Sequence, residues 1–398
     1  MSTAPARITR VRFAGLRTAA SVELDLEGLT VLIGPNGVGK STLIEGFELL
    51  RRVMVSEDFL GALHDGHGGP TSLVTHGARE LTLGLDATTE EGPLSYEIVL
   101  EQVEGDFGIA RESLHARAMG FVRTRDAVIT DNNLGSTLRL TRPREPFLHA
   151  WSQMQPLPGR VGALLEGIEV HSPFRTNAAW LSRAAAAERS ARSDNVLQAT
   201  SRLARGGTNL PNAFQALRHR DDWQDTLDTV RLLVDEDLED VLTPESPSGG
   251  SIGLAVKYRT GTVPASALSD GTLSLLSLVA LIKLDEGQHP RSLLVLDEPD
   301  LHLHPSVMRY VVTLLEECAE RCPVVVATHS DHFLDCLSEP ARSVVLCDLD
   351  EHRHLRLKRP DAALLAKWLP EYRGVGELRA DGYGDVVFAQ QVPASDNS

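Results

Sequence analysis

Residues 34–41 read Gly-Pro-Asn-Gly-Val-Gly-Lys-Ser and directly follow the apolar run Leu29-Thr30-Val31-Leu32-Ile33. A buried strand, a glycine-rich turn and a helix opening near Lys40 aim backbone N–H groups at one spot, where a β-phosphate can sit. Gly34, Gly37 and Gly39 permit a tight backbone path that side chains would block. Leu43, Ile44, Phe47 and Leu50 recur at helical spacing, which supplies the helix that this geometry needs. The pattern predicts a nucleoside triphosphate site built from Gly34, Pro35, Asn36, Gly37, Val38, Gly39, Lys40, Ser41 and Thr42. Lys40 supplies positive charge to the β- and γ-phosphates, and Ser41 offers a hydroxyl to Mg²⁺.

A chain of 398 residues can bury a large core and is expected to form more than one structural unit. It has no apolar stretch of about 18 residues and its first segment lacks a secretory pattern, so a cytoplasmic protein that does not enter membranes is expected. Cys318, Cys322, Cys336 and Cys347 sit among residues that look like helix and strand core, which argues against a disulfide framework or a zinc cluster. The net charge of −16 opposes wrapping of nucleic acid by the whole surface, though not a local basic face.

Strand-like alternation marks residues 8–33, and the helix after the loop should run to about Val55. Residues 56–74 read as an irregular excursion, because Gly61, Gly66, Gly68, Gly69 and Pro70 crowd its middle. Further strands at 80–85, 94–103 and 136–140 suggest an antiparallel sheet in an N-terminal lobe, residues 1–176. Residues 177–247 read as a helical insertion, carried by Ala184 to Ala187, Val196, Leu197 and Leu203 and by amphipathic pieces at 212–217 and 223–233. Strand signals return at 252–258 and open a C-terminal lobe, residues 248–398.

The run Leu293-Leu294-Val295-Leu296 is a buried strand that ends in Asp297-Glu298. Parallel strands carry such unbroken apolar runs, and ligands sit beyond their C-terminal ends. Asp297 is suited to hold Mg²⁺, and Glu298 to polarise an attacking water. A second apolar strand, 323–327, ends in Thr328-His329-Ser330, where His329 can reach a γ-phosphate. Leu268-Ser269-Asp270-Gly271-Thr272 opens an apolar helix; Ser269 and Gly271 form either a simple helix cap or a second anion-binding corner. One chain already has a complete phosphate loop, so such a corner would serve the nucleotide of a symmetry-related chain. His302 and His304 are expected to shape a turn or a subunit contact.

In this order GPNGVGKS, LSDGT, LLVLDEP and ATHS resemble the ABC-type ATPases of the SMC/RecF/Rad50 class. More closely they resemble compact, stand-alone ATP-binding proteins of the AAA family related to the OLD ATPase module. Asn209-Leu210-Pro211-Asn212, Leu301 to Pro305 and Gly374 to Leu378 also look like that subgroup. The resemblance implies an α/β P-loop NTPase of the ABC ATPase head type, with a mixed central sheet, an N-terminal antiparallel sheet and a lateral helical insertion. It implies Walker A at Gly34 to Ser41, a signature motif at Ser269 to Thr272, Walker B at Leu293 to Glu298 and a switch histidine at His329. It further implies ATP and Mg²⁺ as ligands, hydrolysis to ADP and phosphate, and an ATP-dependent head-to-head homodimer.

Three departures qualify the resemblance. His304 stands where many members of the class carry the D-loop aspartate. Gln153 and Gln155 are candidates for the Q-loop glutamine, with a polar surface loop an equal alternative. No heptad persists long enough for a coiled coil. The last 50 or so residues are too few for the TOPRIM nuclease domain of full OLD nucleases, and Asp348 and Asp350 resemble its acidic pair only superficially. Two processes fit such an engine. One is DNA repair or anti-phage defence with DNA bound through Arg183, Arg189, Arg192, Arg202 and Arg205, a stretch equally compatible with a solvated helix. The other is a nucleotide-gated scaffold that holds or releases a separately encoded effector protein.

Overall fold

Ile8, Val11 and Phe13 alternate with polar residues and form strand β1 (Arg7–Leu16), which turns back into β2 (Ala19–Asp25). The fully apolar β3 (Leu29–Ile33) is buried along its whole length and delivers the chain into helix α1 (Lys40–Val55). This computed structural model describes residues 6–117, 119–132, 135–176, 190–246, 249–285, 290–369, 374–383 and 387–388.

The irregular excursion expected at 56–74 is instead largely helical, with α2 (Phe59–His67) and a single turn α3 (Pro70–Leu73). Asp58 caps α2 by accepting from Gly61 N at 3.0 Å, and Phe59, Leu60 and Leu63 are buried. Burial of that apolar face outweighs the glycines inside the helix, and only Gly68, at φ +71°, acts as a stop. Strands β4 (Glu80–Thr89), β5 (Gly92–Val103), β6 (Asp106–Ala116), β7 (Met119–Thr124), β8 (Val128–Asp131) and β9 (Thr137–Arg139) follow. With β1 and β2 they complete an eight-stranded antiparallel sheet in the order β2-β1-β4-β5-β6-β7-β8-β9. Helices α4 (Phe147–Trp151) and α5 (Pro156–Glu166) then lead to the short strand β10 (Ile168–His171).

Among the described residues, the helical expectation for 177–247 holds between Leu210 and Leu233. Ala184 to Ala187 lie outside the described residues. Val196 belongs to a two-residue strand, β11 (Asn195–Val196), and Leu203 lies in irregular chain before Gly206 and Gly207, both at positive φ. Helices α6 (Leu210–Arg218) and α7 (Trp223–Leu233) do form. Strand β12 (Leu238–Leu242) follows them. The signal at 252–258 resolves into β13 (Ser251–Ile252) and β14 (Ala255–Tyr258). β13 pairs with β11, and β14 with β12 and β15 (Gly261–Pro264), in two small antiparallel sheets rather than joining the central one.

Helix α8 (Asp270–Lys283) precedes β16 (Leu293–Asp297), α9 (Met308–Arg321) and β17 (Val324–Thr328). The chain closes through α10 (Asp331–Asp335), α11 (Pro340–Ser343), β18 (Val344–Leu349), β19 (Leu355–Lys358), α12 (Ala362–Trp368) and α13 (Val375–Ala380). The central sheet is mixed, in the order β10-β16-β17-β3-β18-β19, with only β19 antiparallel to its neighbour. Strand periodicity sends its side chains to two cores. Leu32, Val295 and Val325 pack with α1 and the antiparallel sheet, whereas Val31, Leu294 and Val326 pack with α8, α9, α6 and α7. Cys318, Cys322 and Cys347 are buried in these cores, and all four cysteines are free thiols. Among the described residues no helix is long and apolar enough to cross a membrane.

A buried ion network ties β10 to its surroundings. Glu169 Oε2 accepts from Arg291 Nε at 2.7 Å, and its Oε1 lies 3.1 Å from Arg202 Nε. Arg202 also meets Asp285 at 3.1 Å. Burial raises the pKa of Glu169, but His171, Arg291 and Arg202 outweigh it and hold the carboxyl at about 2. This contribution to stability is present above pH 4.5 and is lost as pH falls toward 2. Glu169→Ala strands a buried guanidinium and should cost about 3–5 kcal/mol at pH 7. The deficit should shrink on acidification through that window in urea titrations; an equal deficit at every pH would refute the assignment.

Candidate active site

The loop between β3 and α1 is held against its surroundings at two glycines. A Cβ on Gly34 would stand 2.3 Å from the carbonyl oxygen of Cys347 on β18, and one on Gly39 would stand 2.4 Å from Thr18 Oγ1. Gly37 and Gly39 have φ of +80° and +110°, so glycine is needed there for the backbone itself. Val38 is buried, while Pro35, Asn36 and Gly37 face outward. Lys40 bends back over the loop: its Nζ donates to Gly34 O at 2.7 Å and to Pro35 O at 3.1 Å. Burial lowers the Lys40 pKa, opposed by the negative charge of Glu298 and Asp297. Ser41 is exposed at the opening of α1, and Thr42 is buried with its hydroxyl 3.5 Å from that of Thr18.

Parallel pairing of β16 with β17, and of β17 with β3, brings the acidic strand end and the loop to one edge of the sheet. Asp297 stands level with Ala327, and Glu298 N donates to Ala327 O at 2.8 Å. Burial, and then repulsion from Glu298, raises the pKa of Asp297, so its anion is poised to take a cation. Glu298 sits at φ +48°, a left-handed conformation that non-glycine residues seldom adopt, and local strain of this kind gathers at working sites. Its Oε1 lies 3.4 Å from His329 Nε2, and His329 Nδ1 lies 3.4 Å from Lys40 Nζ. The imidazole thus bridges the ammonium and the carboxylate, an order that fits the tautomer with its proton on Nε2.

Ser269 caps α8: its hydroxyl accepts from Thr272 N at 3.0 Å and lies 2.8 Å from Thr272 Oγ1. Gly271 lets the turn after β16 approach, since a Cβ there would come 2.9 Å from His302 O. Ser269, Leu301 and His302 are all exposed on this corner. Within one chain, the hydrogen bonds of Ser269 stay inside its own cap and do not reach the phosphate loop.

A family profile described as "AAA domain, putative AbiEii toxin, Type IV TA system" matches residues 29–109 and 126–335. The chain belongs to this AAA domain family. An OLD nuclease from Thermus scotoductus is 23% identical over 97% of this chain and 73% of the relative. The fold is that of SMC heads. A SmcHead bound to the C-winged helix domain of ScpA aligns with a TM-score of 0.56, at 12% identity, over 91% of this chain and 99% of the other. A Pyrococcus furiosus Smc head with an extended coiled coil, bound to the C-terminal domain of ScpA, aligns at 0.50 over 92% of this chain and 99% of the other, again at 12% identity.

Several features of this AAA domain were not legible in its sequence. Strand β10 runs parallel to β16 with His171 level with Leu296, and the chain leaves the sheet there. Asp300, its pKa raised by burial, accepts from Thr328 Oγ1 at 2.9 Å and braces the two strand ends. Gln155 precedes α5 as its N-terminal flanking residue, and Gln153 lies in the turn before it. His304 accepts from Ser306 N and caps a turn. Asp348 pairs with Lys358 at 3.2 Å, and Asp350 accepts from His352 N and His354 N in the β18–β19 hairpin.

The described arginines of this stretch are all ion-paired, Arg192 and Arg202 largely buried and Arg205 half-exposed. Arg192 meets Asp270, Arg202 meets Glu169 and Asp285, and Arg205 meets Glu48 on α1. Arg183 and Arg189 lie outside the described residues. As a check on the loop, Gly34→Ala should weaken binding of a fluorescent ATP analogue by about tenfold or more, because the loop must leave β18. Wild-type affinity in that variant would contradict the packing account.

Proposed function

We propose that the chain hydrolyses ATP to ADP and phosphate, with two chains closing head to head around two nucleotides. The observation that carries this reading is the convergence of Lys40, His329, Glu298 and Asp297 on one sheet edge. Lys40 and the loop amides from Gly34 to Ser41 bind the β- and γ-phosphates. Ser41 and Asp297 provide the hard oxygen donors that Mg²⁺ favours, and Mg²⁺ bound by them would neutralise phosphate charge. Glu298 accepts a hydrogen bond from the attacking water, and His329 donates to the γ-phosphate. Ser269 and Gly271 of the opposite chain would complete each site, consistent with the exposure of Ser269 and its separate hydrogen bonding.

The process served is defence against foreign DNA or DNA repair, a reading supported by the OLD nuclease relative and by the toxin–antitoxin wording of the family. Direct DNA contact loses support from charge, because Arg192, Arg202 and Arg205 are each paired with a carboxylate of the same chain. That observation favours the second reading, in which ATP turnover gates a protein effector.

Glu298→Gln keeps the phosphate contacts and removes the base, so turnover should fall by about 10²–10⁴-fold. Light scattering should then show a persistent dimer with ATP and a monomer without it. A variant that stays monomeric at saturating ATP would sink the shared-site reading.

A further inference from the structure

Arg192 is the most heavily engaged side chain near the signature corner, and no step above uses it. Its side chain is 11% exposed. Its Nε donates to Thr176 O. One terminal nitrogen donates to Leu268 O at 2.6 Å, Ala265 O at 3.1 Å and Ser266 O at 3.3 Å, and the other to Asp270 Oδ1 at 2.6 Å. One guanidinium therefore collects the carbonyls on the N-terminal side of Ser269 and the carboxylate on its C-terminal side. A planar fork with five donors can hold such a set; an ammonium has three donors and no plane.

The other end of the clamp is anchored beyond β10. Thr176 lies five residues past the end of that strand, and Ala191 N donates to Arg175 O at 2.9 Å. Arg175 N donates to Gly206 O at 2.9 Å, and Gly207 packs on α8, where a Cβ would come 2.9 Å from Ser277 Oγ. Thr176 is thus the fixed end of the clamp, and the turn Leu268 to Thr272 is the end that it holds.

We propose that Arg192 is a positioning residue that sets the turn Leu268 to Thr272 for the nucleotide of the opposite chain. This rests on the shared-site reading. Its action is in trans: losing Arg192 damages the site to which its chain lends Ser269, and spares the site built on its own Lys40.

The test is complementation of phosphate release in mixed dimers. Arg192→Ala alone should lose about a hundredfold in turnover, the scale expected for a misplaced binding group. It should still bind a fluorescent ATP analogue with wild-type affinity. Arg192→Lys should not rescue turnover. Lys40→Ala alone should be inactive. An equal mixture of Arg192→Ala and Lys40→Ala should turn over well above either variant alone, since each mixed dimer holds one intact composite site. Ser269→Arg mixed with Lys40→Ala is the control. If that control complements and the Arg192→Ala mixture does not, the Arg192 assignment is wrong. Loss of analogue binding by Arg192→Ala, or full rescue by lysine, overturns it as well. If the Ser269→Arg control fails to complement, the shared-site reading itself falls, and the Arg192 proposal with it.

Discussion

Hydrogen bonding between three parallel strands is the constraint on which everything else depends. β16 pairs with β17 and β17 with β3, and this brings Lys40 within 3.4 Å of a histidine 289 positions later in the chain. No local contact could achieve that. The pairing survives because both faces of these strands are buried, so a slip of one residue would exchange two full cores. Placement of the site is therefore fixed by hydrophobic packing remote from any phosphate chemistry.

On that frame, charge is arranged against itself. Lys40 is buried with its ammonium tied to loop carbonyls, and Asp297 is crowded by Glu298 and by burial. Neither group is at ease alone. A bound triphosphate with a divalent cation would relieve both, which makes occupancy favourable without a large rearrangement. Glu298 adds backbone strain at φ +48° to the same corner. Ser269 at the signature turn is exposed and its hydroxyl bonds to its own Thr272, which is the arrangement expected of a part lent to a second copy.

The sequence was most readable where a single local rule governs. The phosphate loop, the buried run ending in Asp297, the start of α8 at Ser269 and the two amphipathic helices at 210–233 all follow from spacing or composition. It was least readable where tertiary contacts decide. Glycines at 61 and 66 suggested loop, yet an Asp58 cap and the buried Phe59, Leu60 and Leu63 sustain helix α2. β10 has four residues and no periodicity to notice, and only its pairing with β16 makes it a strand. The arginines from 183 to 205 read equally as a DNA-binding stretch or a solvated helix; for Arg192, Arg202 and Arg205 the carboxylate partners lie as far off as Glu48, Asp270 and Asp285. Charge counted along a chain says little about charge on a surface when such partners come from distant segments.

The central claim is that Lys40 and Asp297 serve one triphosphate. Calorimetric titration of ATP into Lys40→Ala and Asp297→Ala, each with Mg²⁺ and with chelator, tests it most directly. Lys40→Ala should lose binding in both conditions, while Asp297→Ala should lose only the part that depends on Mg²⁺. An Asp297→Ala protein whose affinity still rises with Mg²⁺ as in the wild type would contradict it.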